Sequence, residues 1–358
     1  LTTRHAESRA TAASSRTGVH RSSICRVVAA ILLLLPGPGC NPAGPATAPP
    51  AKNAGAGSRG SEPTLRKVDL QLNWFPDAQH GGFYAAVTNG CYAAEGLDVH
   101  IVPGGPNAVV IPKVVMNRVP FAVANADQIL LARQQQADIV AVFASMQNSP
   151  RCIMVHESSG ITKLEELHDM VLAIGDGKAF AEYLKHTLPL PGVRLVSYSG
   201  NVAKFLVDEN FAQQGYVFSE PLVVRARGGS ARALMVSDLG FNPYSSVVIT
   251  SASLWKQDPE LVRRFVRASQ RGWQTYLQDP SRANAAILKD NPEMDAEILR
   301  DSVAIIQSLV LPADVPAQQL GTMQSQRWVT LESQLQAIGL LPADSRTAAG
   351  AFVLPLEN

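Results

Sequence analysis

Cysteine is scarce: four in 358 residues, at positions 25, 40, 91 and 152. A disulfide framework needs more, so the chain is not a small stapled domain. Aromatic residues make up 6% and charged residues 17%, but 46% of the chain is apolar. That share excludes wholesale disorder and allows a sizeable core. An excess of one charge is lacking too. There are 31 Lys and Arg against 30 Asp and Glu; five of the arginines fall in residues 1–39 beside a single Glu, leaving a net −3 for residues 40–358. No basic surface for nucleic acid follows. No internal repeat of 20 to 50 residues is visible.

Catalytic and metal-binding spacings are also missing. Beyond residue 40 the histidines are His80, His100, His156, His168 and His186, none paired at the i, i+3 or i+4 spacing of helical metal sites. The stretch IGDGKA (174–179) contains a Gly-Lys pair, but Leu172 holds the place of the first glycine that a phosphate loop requires. No G-x-S-x-G occurs. No metal and no cofactor are expected, and hydrolytic chemistry is disfavoured.

What is present begins near the amino terminus. Residues 21–40, RSSICRVVAAILLLLPGPGC, set two arginines before nine uninterrupted apolar residues, then Pro, Gly and Cys40. This is the form of an export signal. Nine helical residues rise about 14 Å, well short of the roughly 30 Å hydrocarbon core, so a permanent transmembrane helix fits poorly. The small residues before Cys40 are similar to the box of bacterial lipoproteins, in which the cysteine thiol is acylated. Gly37 stands where such boxes usually carry Leu, and cleavage without lipid is the alternative. The chain starts at Leu1 rather than Met, so an over-extended amino terminus is expected within the signal segment, 1–39. Residues 41–63 hold five Pro and four Gly, a tether reaching roughly 25 to 30 Å. A protein anchored through Cys40 on the extracytoplasmic face is expected, with 40–63 as linker. Cys91 and Cys152 are expected as two thiols.

From residue 65 the pattern alternates. Strands are expected at 68–72, 97–102, 121–123 and 139–143, with helices at 82–89, 108–117 and 127–135 between them, so parallel sheet is expected. A second series starts with a strand at 152–156 and continues with strands at 171–174 and 194–197 and helices at 163–167, 178–186 and 201–207. It closes near 234–236. A strand at 246–250 and a long amphipathic helix at 259–277 follow. Two α/β lobes are expected, 64–147 with 246–358 and 148–245, joined by two crossings and leaving a cleft between them.

Residues 70–105, LQLNWFPDAQHGGFYAAVTNGCYAAEGLDVHIVPGG, resemble the opening of ABC-importer substrate-binding proteins of the thiamine-pyrimidine precursor and sulfonate-binding superfamily. FAVANADQILLAR (121–133), SSGITKLEEL (158–167), SGNVAKFL (199–206) and DPELVRRFVRASQRGWQTYLQDP (258–280) extend the similarity over residues 65–340. The resemblance implies the two-lobed periplasmic binding-protein type 2 fold, with parallel-rich sheets, flanking helices and domain closure over a ligand. It also implies a monomeric receptor that hands a small heteroaromatic nutrient to a permease and ATPase. A thiamine pyrimidine precursor leads; riboflavin, a sulfonate-like solute or a sensor of the same fold are alternatives. Fungal members that resemble it act as single-turnover pyrimidine synthases. The places of their lysine and histidine hold Ala124 and Gln128 here, so a binder rather than an enzyme is expected.

Ligand contacts are expected where strands end and helices begin, since free backbone groups gather there. Asn73 and Trp74 follow the first strand, and Trp74 offers a face for a flat ring or packs as core. His80, Gly82 and Phe83 stand at a helix start, where glycine permits close approach. Asn125 and Asp127 follow a later strand, with Asp127 as helix N-cap the competing role. Asn201 and Val202 open another helix. Glu220, which precedes Pro221, resembles the family's acidic residue for an amino-substituted ring: a carboxylate accepts two parallel hydrogen bonds from amidine-like donors. A surface turn is its alternative.

Overall fold

Ten strands run through the computed structural model, which describes residues 64–106 and 108–357. They are β1 (Arg66–Gln71), β2 (Leu97–Val102), β3 (Phe121–Ala124), β4 (Val140–Met146), β5 (Arg151–His156), β6 (Val171–Ile174), β7 (Arg194–Ser197), β8 (Phe211–Tyr216), β9 (Ala231–Met235) and β10 (Ser245–Thr250). Sheet one has the order β2-β1-β3-β10-β4, and sheet two the order β7-β6-β8-β5-β9. The expected export signal, Cys40 and the expected tether lie outside the described residues.

The sheets are mixed rather than parallel throughout. β1 pairs in parallel with β2 and β3, but β10 runs antiparallel to β3 and β4. In sheet two β6 pairs in parallel with β7 and β8, and β5 runs antiparallel to β8 and β9. The reason lies in the crossings. β5 and β10 are the strands that enter from the other sheet, and each starts at the edge where the parallel strands end. A strand that starts there has to run backwards.

Strands β3, β4 and β10 are buried along their whole length. They are covered on both faces, which is why they lack polar alternation. Over sheet one lies helix Pro259–Gln278, whose buried residues Leu261, Val262, Phe265, Val266, Ala268, Trp273 and Tyr276 recur at helical spacing. Asp258 caps it by accepting the Leu261 N–H at 3.1 Å, a contact that typically contributes ~1 kcal/mol. It crosses helix Gly81–Thr88 at close quarters. A Cβ on Gly82 would stand 2.1 Å from the Trp273 ring, and one on Gly272 would stand 2.3 Å from the Gly82 carbonyl oxygen.

Helix Ser325–Ala337 packs on helix Ala126–Gln134 from the first series and on helix Ala179–Thr187 from the second. Its Trp328, Leu331 and Leu335 join a core that takes in Ala141 and Ile249 of sheet one and Ile153 and Leu234 of sheet two. The crossings are tied to each other. The Asn242 side chain accepts the Ser149 N–H at 2.8 Å and donates to Asn148 Oδ1 at 2.8 Å. Arg327 Nη2 donates to the carbonyls of Gln147 and Asn242, one on each crossing, and its guanidinium carbon lies 3.8 Å from the centre of the Tyr244 ring.

Several elements depart from expectation. The helix expected at 108–117 is only Ile111–Val115, and helix Glu220–Ala226 is unexpected. β8 (FAQQGY) reads poorly as a strand because its centre is Gln-Gln-Gly, yet it is buried at the middle of sheet two. The segment expected as helix at 163–167 is a short 3-10 turn, Leu164–Glu166. Cys91 is half-buried, Cys152 buried, and both are free thiols.

Candidate functional site

The ends of both crossings fix where the two sheets approach. Met146 ends β4 and pairs with Ser245, the start of β10. Arg151 starts β5 and pairs with Tyr216, the end of β8; Met235 ends β9 and pairs with Cys152. All four crossing ends therefore sit at the edges where the parallel strands terminate. The C-terminal edges of the sheets face each other across the hinge, as the general rule for ligand sites in open α/β sheets requires.

The sheet-one edge is a polar network in which His80 Nδ1 is buried without a hydrogen-bond partner. Asn73 Oδ1 accepts from His80 Nε2 at 3.0 Å, and the other ring nitrogen lies 3.2 Å from Asp77 Oδ1. Gln79 donates to Asp77 Oδ2 at 2.9 Å and accepts from the Ser246 hydroxyl at 3.3 Å. Asn125 Oδ1 accepts the Ser245 hydroxyl at 2.9 Å and the Ser246 N–H at 3.2 Å. Ser246 takes φ of +50°, a left-handed conformation that costs a non-glycine residue roughly 1 to 3 kcal/mol and is held by its neighbours.

Beyond this network Trp74 and Phe75 project outward, 39% and 46% exposed, edge to face at 5.6 Å. The loop at Gly104 lies against their backbone; a Cβ there would stand 2.4 Å from the Leu72 carbonyl oxygen and 2.6 Å from Trp74 N. The two rings line a cavity of about 500 Å³ together with Ser219, Val223 and Arg227 from the second series and with Met294 and Ile298.

The sheet-two edge carries charge and aromatic rings. The Arg151 guanidinium carbon lies 4.3 Å from the centre of the Tyr216 ring and 4.5 Å from that of Phe180. Glu220 opens helix Glu220–Ala226; its Oε1 accepts the Tyr198 hydroxyl at 2.9 Å and its Oε2 the Tyr216 N–H at 2.7 Å. Burial, followed by the nearby Glu220 charge, pushes the Tyr198 phenol well above its usual value. Burial likewise raises the Cys152 thiol, with Glu220 adding to it, which makes that thiol unreactive. Across the cleft, burial raises the Asp127 carboxyl, an effect opposed by the Gln128 N–H and by the charges of Arg151 and Lys178.

The expected residues separate accordingly. Trp74, Asn73, Asp127 and Glu220 stand at the facing edges. His80, Gly82 and Phe83 are wholly buried. Phe83 packs on Phe143 and Trp273, and Gly82 serves the helix crossing; helical phase turns this start of the helix inward, so neither Gly82 nor Phe83 faces the cleft. Asn125, not Asp127, is the helix N-cap, with Gln128 Oε1 accepting its N–H at 3.1 Å. Asn201 is exposed and accepts the Ala203 N–H at 2.9 Å, whereas Val202 is buried beside Phe205. Sequence reasoning missed Arg151, Phe180, Tyr198 and Tyr216. An antiparallel assignment of β5 and recognition of β8 would have brought Arg151 and Tyr216 to the edge.

A family model described as NMT1/THI5 like matches residues 77–283. The riboflavin-binding protein RibY of Chloroflexus aurantiacus is 29% identical over 321 residues, 84% of this chain and 87% of its own length. The formylaminopyrimidine-binding protein of Halalkalibacterium halodurans is 25% identical over 299 residues, 76% and 86% of the two chains. At 22% over 253 residues, 65% and 73% of the two, stands the 4-amino-5-hydroxymethyl-2-methylpyrimidine phosphate synthase THI11 of Saccharomyces cerevisiae. Among solved structures the alkanesulfonate-binding protein SsuA of Xanthomonas axonopodis pv. citri superposes with a TM-score of 0.59 at 14% identity, over 82% of this chain and all of that one. The last likeness establishes the two-lobed periplasmic binding-protein fold.

Proposed function

The chain belongs to the NMT1/THI5-like family, and from that premise we propose that it is the solute-binding receptor of an ABC importer, taking up a small heteroaromatic nutrient. The observation that carries this is the open cavity of about 500 Å³ lined by the exposed rings of Trp74 and Phe75 on one side and by Ser219, Val223 and Arg227 of the second series on the other, with the half-buried rings of Tyr198 and Tyr216 on the sheet-two edge. Flat rings bury their faces against such side chains, and aromatic contacts contribute about 0.5 to 1.5 kcal/mol beyond area burial. The two binding-protein relatives take a flavin and an aminopyrimidine by name, and both are heteroaromatic. The lobes are 64–147 with 246–358 and 148–245, closing over the ligand about the crossings. The receptor acts on the extracytoplasmic face, held by lipid on Cys40, and docks on a permease and ATPase.

Synthesis of a pyrimidine, the named activity of the more distant relatives, is disfavoured by Ala124, which brings no amine to the end of β3. Addition of pyridoxal phosphate should give no Schiff-base absorbance; a stoichiometric one would overturn the assignment as a binder. Titration of the full chain with riboflavin and with 4-amino-5-hydroxymethyl-2-methylpyrimidine tests the ligand class: saturable one-to-one binding of either supports it, and binding of neither refutes it. For the anchor, the wild type should partition into detergent and Cys40→Ser into water.

A further inference from the structure

Arg151 is a strong cation set into the C-terminal edge of sheet two. It starts β5, so the antiparallel pairing of Arg151 with Tyr216 places it at the cleft rather than at the far end of the sheet. Its guanidinium is held against the rings of Tyr216 and Phe180, which removes the rotational freedom that a long side chain otherwise loses on binding. Beyond the strand ladder its hydrogen bond is a backbone one, from its N–H to Ser149 Oγ at 3.4 Å. Among the described residues no carboxylate lies within ion-pair distance of the guanidinium and no acceptor takes its N–H groups. A half-buried, pre-oriented guanidinium with unspent donors is costly unless something accepts from it.

Glu220 shows the opposite condition. Its two oxygens already accept from Tyr198 and from the Tyr216 backbone. The parallel fork that an amidine-like edge would require is therefore engaged within the protein. The edge has free donors and an occupied acceptor, so it complements a ligand that presents acceptors.

We propose that Arg151 is the specificity-determining residue of the cleft, recognising through its planar fork the carbonyl-bearing edge of a dioxopyrimidine-type ring, as found in flavins and lumazines, in preference to an amino-substituted pyrimidine. This rests on the assignment of the cleft as a heteroaromatic site. Lys178, exposed at the start of helix Ala179–Thr187, adds a second positive charge on the same edge, and Asp127 faces both from sheet one. A fork-shaped donor suits two acceptors in one plane, which an ammonium cannot match.

The test compares three probes, riboflavin, lumazine and 4-amino-5-hydroxymethyl-2-methylpyrimidine, on the full-length wild type, Arg151→Lys and Arg151→Met. Wild type should prefer the dioxo rings. Arg151→Met should weaken riboflavin and lumazine about 10-fold or more, and Arg151→Lys should recover little of that loss while keeping the ligand-free midpoint of the wild type. Aminopyrimidine binding should change less than about two-fold in either variant. Riboflavin bound with lumazine rejected assigns the recognition to flavins; both bound assigns it to the shared dioxo edge. Wild-type preference for the aminopyrimidine, equal loss of all three probes in Arg151→Lys, or unchanged riboflavin affinity in Arg151→Met would overturn the proposal while leaving the heteroaromatic site in place. Failure of every probe to bind the wild type would remove that site and the proposal with it.

Discussion

Sheet one and sheet two share one strand order, two parallel pairings followed by two antiparallel ones, β2-β1-β3-β10-β4 against β7-β6-β8-β5-β9. Their surroundings differ. In sheet one β4 and β10 are buried from end to end beneath helices that return from the C-terminal third. In sheet two the edge strand β7 is largely exposed. The cleft edges differ as well: Asn73, His80, Gln79, Asn125 and Ser246 are linked by hydrogen bonds to one another, to Asp77 and to Ser245, whereas the side chains of Arg151 and Lys178 make none among the described residues. Topology repeated between the lobes thus carries no matching chemistry. The first edge is a rigid wall with a ring platform, and the second offers the charge that selects.

The largest effect should come from the sheet-one wall. Gly272→Leu forces a side chain into the Gly82 backbone and the Ala86 methyl, and should destabilise by about 3 kcal/mol or more, seen as a collapse of the thermal midpoint in circular dichroism. Gly229→Ala in the second series meets methyl groups of Val224 and Leu206 at 2.8 and 2.9 Å, with the Val224 carbonyl oxygen further off at 3.4 Å, and should cost about 1 kcal/mol. Equal losses would erase the contrast between a rigid and an adaptable lobe.

Next comes the link between the sheets. Arg327→Ala removes two charge-assisted hydrogen bonds, one to each crossing, for about 2 to 3 kcal/mol. Calorimetry should then show an earlier transition, the remaining ties being the contacts of Asn148, Ser149 and Asn242 and the core that Trp328, Leu331 and Leu335 share between the sheets. An unshifted midpoint would show that Arg327 does not couple the lobes.

Glu220→Gln should cost about 1 kcal/mol, since the amide keeps one acceptor for two donors, Tyr198 and the Tyr216 N–H. A smaller change of opposite sign is expected on sheet one. Burial raises the Asp127 carboxyl, so the protonated form suits the fold: its stabilisation is complete below the ordinary carboxylate range and is lost as pH rises through the raised value. Asp127→Asn should therefore raise the ligand-free midpoint at pH 7, and the gain should fade on acidification toward that range. A gain that grows in acid would reverse the assigned sign.

Much of this architecture is legible in the residues themselves. Strands β2, β6 and β7 fall at the residues where alternation or apolar runs place them, and the helix over 259–277 differs from Pro259–Gln278 by a single residue. β8 was hidden because buried Gln213, Gln214 and Gly215 contradict strand propensity; Gln214 earns its place by accepting the Gly175 N–H at 2.6 Å. Helix Glu220–Ala226 was hidden because Glu-Pro reads as a turn, although proline is well suited to a first helical turn. In the site, Trp74 could be named from local position and Glu220 from its resemblance to the family's acidic residue. Arg151 could not, because its place depends on the direction in which β5 enters the sheet, and that is set by the crossing rather than by any nearby residue. The inward phase of Gly82 and Phe83 likewise follows from packing against Trp273, which lies about 190 residues further on.

Mass spectrometry of the small molecule released on denaturing freshly purified protein tests the central claim most directly, because it presupposes no ligand. One heteroaromatic compound per chain is predicted, rebinding saturably to stripped protein and more weakly, by several-fold, to Trp74→Ala. Release of an aliphatic sulfonate or an inorganic anion in that stoichiometry would contradict it.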